Sequence, residues 1–189
     1  MRLVGKVGVI GAVAAATVLA AGCGSSSDNK AASTTTGKAT TSAAVATTTQ
    51  SKGRECTADD IKVDGGFGQA PKITIPDDCD PPKQLIVKDL VAGSGPAAKA
   101  GDQLTMNYTL VTWSDKKVLD SSFTRGEPFE LPLGAGEVIK GWDQGLVGVQ
   151  QGARRLLIVP PDLGYGAGGH GMKPYETLVF VTDAVKVGS

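Results

Sequence analysis

Histidine and cysteine are few in this sequence, and no nucleophile, general base or metal ligand stands in a typical catalytic spacing. His170 is the only histidine, and the three cysteines are too widely spaced for a conventional Cys/His zinc site. Neither G-x-S-x-G nor C-x-x-C occurs. LGAGEVI has Ile139 where a dinucleotide fingerprint needs glycine, and GYGAGGHG is followed by Met172 where a phosphate loop needs lysine. We therefore expect no metal and no cofactor.

The side chains that remain are aromatic and aliphatic, and they could bind an apolar ligand. Trp142 stands between two glycines in EVIKGWDQGL, residues 137–146. Ile139, Trp142 and Leu146 follow the spacing i, i+3 and i+7, which predicts a short helix with one apolar stripe. Each interior glycine costs a helix about 1 kcal/mol relative to alanine, so tertiary packing must hold this helix together. A lone tryptophan at helical spacing is by default core filling, so the indole alone does not establish a site.

Five runs of alternating or β-branched residues predict the strands that must position this helix. They are residues 83–91, 103–110, 129–133, 153–161 and 176–187. One face of the second run carries Leu104, Met106, Tyr108 and Leu110. The last run is apolar on both faces around residues 178–181, as a central strand would be. Several antiparallel strands and one short helix predict an α+β fold whose sheet wraps the helix.

Four stretches carry a more specific pattern: NYTL, KKVLDSSFTRGEPFELPLG, EVIKGWDQGLVGVQQGARRLLIVPPDLGYG and TLVF. In this order and spacing they resemble the FKBP family, the macrolide-binding peptidyl-prolyl cis–trans isomerases. The combination of VIKGW, G-x-R, PPDLGYG and TLVF is far more specific than any single piece. The resemblance covers residues 83–189 and implies a curved antiparallel sheet of five to six strands around one short helix. GGFGQAPKITIP, just upstream, is similar to the lead-in before bacterial members of the family.

The resemblance also implies an activity and a site. It implies an isomerase without a cofactor that binds X–Pro segments of unfolded proteins, with macrolides such as tacrolimus or rapamycin as further ligands. In this family the residue at the position of Trp142 forms the floor of the proline pocket. The implied catalytic residues are Tyr108, Asp120, Phe129, Ile139, Trp142, Tyr165 and Phe180, and the implied substrate-binding residues are Leu119, Arg125, Val138 and His170.

Some of these assignments have alternatives. Asp120 and Arg125 could form a plain surface ion pair, which contributes little to stability. His170 could be an exposed bystander. Leu119 stands where the family usually has phenylalanine, a change that bears on macrolide affinity more than on catalysis. The same pocket could also serve a binding module or chaperone that holds proline segments without turnover.

The N-terminus is typical of an exported lipoprotein. Residues 1–22 combine Arg2 and Lys6 with an apolar run that is short for a membrane span of about 20 residues, which is the layout of a secretory signal peptide. Cys23 directly follows LAAG, which resembles a bacterial lipobox and implies a lipidated first residue. The alternative is an ordinary cleaved signal with an incidental cysteine. Residues 23–53 are rich in Ser, Thr and Ala and predict a disordered tether.

The other two cysteines, Cys56 and Cys79, belong to a preamble, residues 54–82, that precedes the predicted isomerase domain, residues 83–189. Outside the cytoplasm, an even pair flanking a short segment predicts a disulfide. This disulfide closes a loop of about 24 residues and would stabilise the folded protein by roughly 3 kcal/mol. Two free thiols are the alternative.

Charge balance excludes one class of partner. The chain has 19 basic and 19 acidic residues and no formal net charge. This balance, without a basic run, argues against a nucleic-acid partner. We expect a monomer that is anchored by its lipid to the outer face of the bacterial cell membrane and assists the folding of exported proteins.

Overall fold

The computed structural model describes residues 50–188, which contain eight strands and two short α-helices. In chain order these are β1 (Lys62–Asp64), β2 (Lys72–Thr74), β3 (Ile86–Val91), β4 (Gln103–Thr112), β5 (Val118–Ser121), α1 (Ser122–Arg125), β6 (Phe129–Pro132), α2 (Lys140–Gly145), β7 (Arg154–Val159) and β8 (Leu178–Val187). Within these residues no helix is long and apolar enough to cross a membrane. The signal segment, Cys23 and the tether up to residue 49 lie outside the described residues, so those expectations stay predictions.

Six of the strands form one antiparallel sheet in the order β3-β7-β8-β4-β5, with β6 also paired to β4. The central strand is β8, which lies between β7 and β4 along its length. Because strand side chains alternate between faces, Phe180 joins one apolar cluster while Val179 and Val181 join the other. The sheet and its central strand confirm the predicted fold class.

One edge of β4 is shared by two short strands, and this arrangement curls the sheet. β6 pairs with β4 over residues 103–106, whereas β5 pairs with it over residues 109–111, where the register shifts. Between the two pairings the backbone N–H of Tyr108 donates to Ser122 Oγ at 2.9 Å instead of to a strand carbonyl. Such irregularities increase strand twist. β5 and α1 have four residues each and are too short to show a periodicity, so neither was predicted.

The predicted helix packs on the inner face of the sheet as α2. Trp142 and Leu146 of its apolar stripe are buried, and Ile139 is partly buried against the same cluster. The cluster also contains Leu104, Met106, Tyr108 and Leu110, which sequence analysis placed on one face of a strand. The helix stripe and the strand face therefore form a single core.

The preamble covers the outer face of the sheet. Ile61 and Ile75 pack with Leu156, Ile158 and other residues of β7 and β8 in the second apolar cluster. β1 and β2 pair with each other as a separate two-stranded sheet. Cys56 and Cys79 form the predicted disulfide, with their Cα atoms 5.1 Å apart. The boundary between preamble and isomerase domain stays a prediction.

A buried ion pair joins the preamble to the sheet. Arg154 of β7 and Asp183 of β8 are each 1% exposed, and Arg154 Nε lies 2.6 Å from Asp183 Oδ1. The same guanidinium donates to the carbonyls of Gly65 at 2.7 Å and Gln69 at 2.6 Å. The N–H of Gly68 donates to Asp183 at 2.7 Å. The loop around Gly68 therefore supplies the remaining hydrogen-bond partners of a pair whose charges already face each other.

Candidate functional site

A cavity of about 380 Å³ opens where β4, β8 and α2 meet the 160–177 loop, which connects β7 to β8. This volume lies within the range of about 300–1,000 Å³ that is usual for small-ligand pockets. The cavity is lined by Tyr108, Leu110, Asp120, Phe129, Glu137, Val138, Ile139, Trp142, Tyr165, His170 and Phe180. We call it the proline pocket, after the ligand that the resemblance implies.

Trp142 lies at the centre of the aromatic side chains of the proline pocket. Its ring is 5.3 Å from Tyr108, 5.4 Å from Phe180 and 6.0 Å from Phe129 between centroids, each pair in an edge-to-face arrangement. The indole is 4% exposed and still lines the cavity. Within residues 50–188 its Nε1 is buried without a hydrogen-bond partner. Trp142 is therefore both core and pocket.

The two glycines of α2 bring the helix backbone into contact with β7. A Cβ on Gly141 would lie 2.4 Å from Val159 Cγ1, and one on Gly145 would lie 2.8 Å from Leu157 Cδ2. Both distances are too short for real atoms, so a larger residue would require Val159, Leu157 or the helix itself to shift. The glycines thus allow the close approach that sets the indole against the pocket.

Polar contacts hold both ends of α2. In its first turn, Asp143 accepts hydrogen bonds from the N–H groups of Gly134 at 2.8 Å and Gly136 at 3.1 Å, which orders the loop after β6. At the other end, Arg155 of β7 donates to the carbonyls of Gly145 at 2.9 Å and Val147 at 3.1 Å. A cation at a helix C-terminus is favoured by the helix dipole. These contacts keep the segment before α2 at the cavity.

That segment offers a free backbone donor. The carbonyl of Ile139 accepts hydrogen bonds from the N–H groups of Trp142 at 2.9 Å and Asp143 at 3.2 Å. Its own N–H precedes the helix and donates to no acceptor within the described part of the chain. Because Ile139 lines the cavity, this N–H can bind a carbonyl oxygen of a ligand.

The polar rim of the pocket is a connected triad. The hydroxyl of Tyr108 donates to one oxygen of Asp120, and Arg125 donates to the other oxygen and, at 3.2 Å, to the Tyr108 hydroxyl. Burial disfavours the Asp120 carboxylate, but the hydrogen bonds from Tyr108 and Arg125 outweigh it and lower the pKa of Asp120. Burial and the bond to Asp120 raise the pKa of Tyr108. The Asp120–Arg125 pair therefore belongs to the rim of the cavity and is more than an isolated surface contact.

Tyr165 and His170 line the cavity from the 160–177 loop. Their ring centroids are 4.9 Å apart. Burial, and then the negative charge of Asp120, raise the pKa of Tyr165, so its hydroxyl stays protonated and can donate a hydrogen bond. His170 lines the pocket, and its φ of +53° is strained for a residue with a side chain.

Two of the predicted site residues do not line the cavity. Leu119 is 38% exposed and lies on β5 next to Asp120, so its side chain points to the opposite face of that strand. Arg125 reaches the pocket only through Asp120 and Tyr108. The structure adds Leu110 and Glu137, which sequence analysis missed as pocket residues. Leu110 shares the strand face of Tyr108, and this pattern could have identified it.

The described residues contain one close group of possible metal ligands, and it lies away from the pocket. Cys56, Asp60 and Cys79 have ligand atoms within 4.8 Å of one another. The two sulfurs are bonded to each other, and the Asp60 carboxylate accepts hydrogen bonds from Arg54 and Thr57. These atoms are therefore engaged in holding the preamble together.

Comparisons with known proteins match the part of the chain that builds the pocket. The model of the family FKBP-type peptidyl-prolyl cis-trans isomerase matches residues 95–184. An FK506-binding protein of Streptomyces anulatus is 47% identical over 111 residues, which are 57% of this chain and 90% of the relative. One from Neisseria meningitidis serogroup B is 42% identical over 106 residues, 54% of this chain and 95% of the relative. The crystal structure of FkpA from Escherichia coli is similar with a TM-score of 0.51 and 39% identity, over 55% of this chain and 48% of that one.

Proposed function

Because the chain belongs to the FKBP-type peptidyl-prolyl cis–trans isomerase family, we propose that it isomerises X–Pro bonds of exported proteins at the outer face of the cell membrane. The observation that carries the proposal is the aromatic pocket built around Trp142, with a free backbone donor at Ile139. An isomerase of this kind needs no nucleophile and no cofactor, since no covalent bond is broken.

The apolar lining of the pocket can lower the barrier to rotation of an X–Pro bond. Twisting an X–Pro bond breaks amide resonance and meets a barrier of about 18–20 kcal/mol. An apolar environment disfavours the planar, charge-separated amide more than the twisted one, so transfer from water into the pocket lowers the barrier. The rings of Trp142, Phe129 and Phe180 supply that environment.

Polar groups at the edge of the pocket orient the peptide. The N–H of Ile139 and the hydroxyl of Tyr165 bind peptide carbonyls, and the triad of Tyr108, Asp120 and Arg125 holds the rim rigid. When these groups hold the peptide carbonyls, the prolyl ring rests on the indole of Trp142 and the X–Pro bond is free to rotate. Apolar side chains at Val138 and Phe129 favour a bulky apolar residue before the proline.

Two features support an extracytoplasmic location. Residues 1–23 have the pattern of a lipoprotein signal that ends in Cys23. The Cys56–Cys79 disulfide is a bond that persists in oxidising compartments. A lipid on Cys23 and a tether to residue 53 would place the pocket where newly exported chains emerge.

The activity is tested by NMR exchange on Leu-Pro and Phe-Pro tetrapeptides with the purified chain. We expect catalysed exchange, reduced in Phe129→Ala, which removes an exposed pocket wall, and unchanged in the control Val147→Ala, an exposed apolar residue outside the pocket. Binding of the peptides without faster exchange would instead indicate a binding module that holds proline segments without turnover.

The location is tested by fractionating cells that express the wild-type chain and Cys23→Ser. Lipidation needs the thiol, so the variant should leave the membrane fraction while keeping its isomerase activity. Equal partitioning of the two chains with membranes would place the anchor elsewhere.

Macrolide binding and oligomeric state are parts of the same proposal. The two relatives are FK506-binding proteins, and this chain belongs to the same family. We expect tacrolimus or rapamycin to inhibit the exchange reaction by competition, and light scattering to show a monomer. Exchange that persists at saturating macrolide would limit the site to peptides.

A further inference from the structure

A second groove, of about 770 Å³, borders the same 160–177 loop that carries Tyr165 and His170. From this loop it is lined by Pro160, Pro161, Asp162, Tyr175 and Thr177. From the end of the tether, the preamble and the first residue after it, it is lined by residues 51, 53–55 and 80–83. We call it the Tyr175 groove.

Tyr175 is an unusual residue to display at a surface. Its side chain is 71% exposed, and its backbone has a φ of +56°, a conformation that non-glycine residues rarely adopt. Strained backbone persists only where the surrounding structure imposes it, and such positions cluster at functional sites. Neither the core nor the proline pocket uses the Tyr175 ring, so its display needs another reason.

The groove and the proline pocket adjoin through one backbone contact. The N–H of Tyr175 donates to the carbonyl of Gly166 at 2.7 Å. Gly166 directly follows Tyr165, which lines the proline pocket. An extended chain that leaves the pocket past Tyr165 therefore has Tyr175 within a few residues of its path.

The composition of the groove suits an extended, uncharged peptide. Pro81, Pro82, Pro160 and Pro161 give it a preorganised surface, which lowers the entropy lost on binding. The exposed ring of Tyr175 adds an aromatic wall, and grooves with aromatic walls bind extended peptides. The ionic residues that line the groove are Arg54, Glu55, Asp80, Lys83 and Asp162. Arg54 pairs with Asp60 outside the groove at 2.9 Å, Lys83 pairs with Glu55 at 3.5 Å, and Asp80 accepts hydrogen bonds from Ser51 and the N–H of Lys52. Among residues 50–188 only the Asp162 carboxylate of this set has no polar partner. Few charges are left to recognise an ionic ligand.

We propose that the Tyr175 groove is a secondary subsite that binds the extended polypeptide on one side of the isomerised proline. This inference rests on the proposed action on X–Pro segments of unfolded chains. The preamble and the end of the tether complete the groove, because residues 51, 53–55 and 80–83 precede the part that matches the family, residues 95–184. The preamble thereby extends the reach of the enzyme from a short X–Pro segment to a longer stretch of unfolded chain.

The test compares substrates of different length on the full chain. The first substrate is a tetrapeptide with a Leu-Pro centre. The second carries eight additional uncharged residues on its N-terminal side, and the third carries eight on its C-terminal side. For the wild-type chain we expect kcat/KM for one long peptide to exceed that for the tetrapeptide about fivefold, through a lower KM.

The variant Tyr175→Asn removes the ring but keeps a residue that tolerates positive φ, so the loop can fold as before. We expect it to lose the advantage of the long peptide and to retain turnover of the tetrapeptide. The matched control is Phe67→Asn, which removes an aromatic ring that is 40% exposed and lines neither groove nor pocket. The control should keep the long-peptide advantage.

Three outcomes would overturn the proposal: no long-peptide advantage in the wild-type chain, an equal advantage in Tyr175→Asn, or an advantage that appears only after deletion of residues 24–49. The last would assign the groove to the tether of the chain itself. Fluorescence anisotropy of the labelled long peptides measures binding without turnover. If the wild-type chain binds the long peptides but catalyses no exchange, the isomerase function is refuted. Loss of that binding in Tyr175→Asn would still support the subsite.

Discussion

At the scale of single residues, Trp142 occupies a position where burial and ligand contact coincide. Its indole packs edge-to-face against Tyr108 and Phe180 while one surface lines the cavity. Loss of activity on truncating this side chain would therefore not distinguish a pocket role from a core role. A variant that keeps most of the packing distinguishes them.

Trp142→Phe should stay folded and bind proline peptides more weakly. The smaller ring keeps an apolar floor but gives up part of the aromatic contact, which is worth about 1 kcal/mol. Trp142→Ala, by contrast, should lose about 3–5 kcal/mol of stability, because it leaves a cavity in the core. Urea unfolding measures the stability, and isothermal titration with a Leu-Pro peptide measures the affinity.

Fluorescence gives an independent control for this role of Trp142. In a Trp113→Phe background the emission reports Trp142 alone, since the chain has two tryptophans. Peptide binding should shift that emission if the indole is the pocket floor. Emission that ignores the ligand, together with activity that tracks stability, would make Trp142 a core residue only.

The ion pair at the rim predicts a dependence of stability on pH. The folded-state pKa of Asp120 is lowered from its ordinary 3.8, so its contribution to stability is present above pH 3.8 and is lost as the pH falls through the lower folded-state value. Because both Asp120 and Arg125 are partly exposed, the contribution should stay below about 1 kcal/mol.

Urea midpoints of the wild-type chain and Asp120→Asn, measured from pH 2 to pH 7, check this sign. The difference between them should be constant from pH 5 to pH 7 and should shrink below pH 4. A difference that grows in acid would show that Asp120 is stabilised in its protonated form, contrary to the hydrogen bonds that it accepts.

At the scale of secondary structure, α2 is a helix that its own sequence disfavours and its neighbours hold in place. The helix has six residues, two of them the glycines Gly141 and Gly145, and such a segment would not be helical in isolation. The close approach to Val159 and Leu157 explains why the glycines are there. The curl of β4 between β5 and β6 supplies the opposite wall of the pocket.

Gly141→Ala should therefore destabilise the domain, although alanine favours a helix by about 1 kcal/mol over glycine. The added methyl meets Val159, a buried side chain that is stiff at χ1, and overpacking of this kind costs about 1–3 kcal/mol. Gly145→Ala should cost less, because Leu157 is the more flexible neighbour. Urea unfolding of both variants tests the order.

The rescue variant separates packing from backbone effects. Val159→Ala in the Gly141→Ala background removes the methyl groups in the way, so the double variant should lose less stability than the two single losses added together. Strict additivity, or a gain of stability in Gly141→Ala alone, would rule out close packing as the reason for the glycine.

At the scale of the whole molecule, the preamble and the sheet depend on each other. The preamble covers the outer apolar cluster through Ile61 and Ile75 and supplies the carbonyl acceptors of the buried Arg154. Its disulfide limits how far the segment can unfold. None of its residues lines the proline pocket.

The fragment 83–189 should consequently be less stable than the full chain and should bind an apolar dye. Without the preamble, Val179 and Val181 face water, and Arg154 loses two of its acceptors. The folded fraction should still isomerise tetrapeptides. Thermal unfolding, dye fluorescence and NMR exchange measure the three properties.

Ile75→Ala in the full chain is the control for this fragment. It should cost about 2–5 kcal/mol through a cavity under the preamble, without change in tetrapeptide turnover. A fragment as stable as the full chain would show that the preamble packs on the sheet without stabilising it.

The sequence by itself indicated the longer local elements and several of the residues that line the pocket. Period-two alternation identified the strand with Tyr108, and the i, i+3, i+7 stripe identified α2, because both patterns arise within a single element. The run of matching motifs then assigned Trp142, Tyr165 and Phe180 to one pocket, where the structure places them.

Only the tertiary structure decided which neighbours these residues have. Leu119 faces away from the cavity while Asp120 lines it, because the register of β5 against β4 sets that choice and a shift of one residue would reverse it. The pairing of Arg154 with Asp183, and the display of Tyr175, likewise depend on segments distant in the chain. Local periodicity carries no information about such contacts, since they form only when the sheet closes and the preamble folds over it.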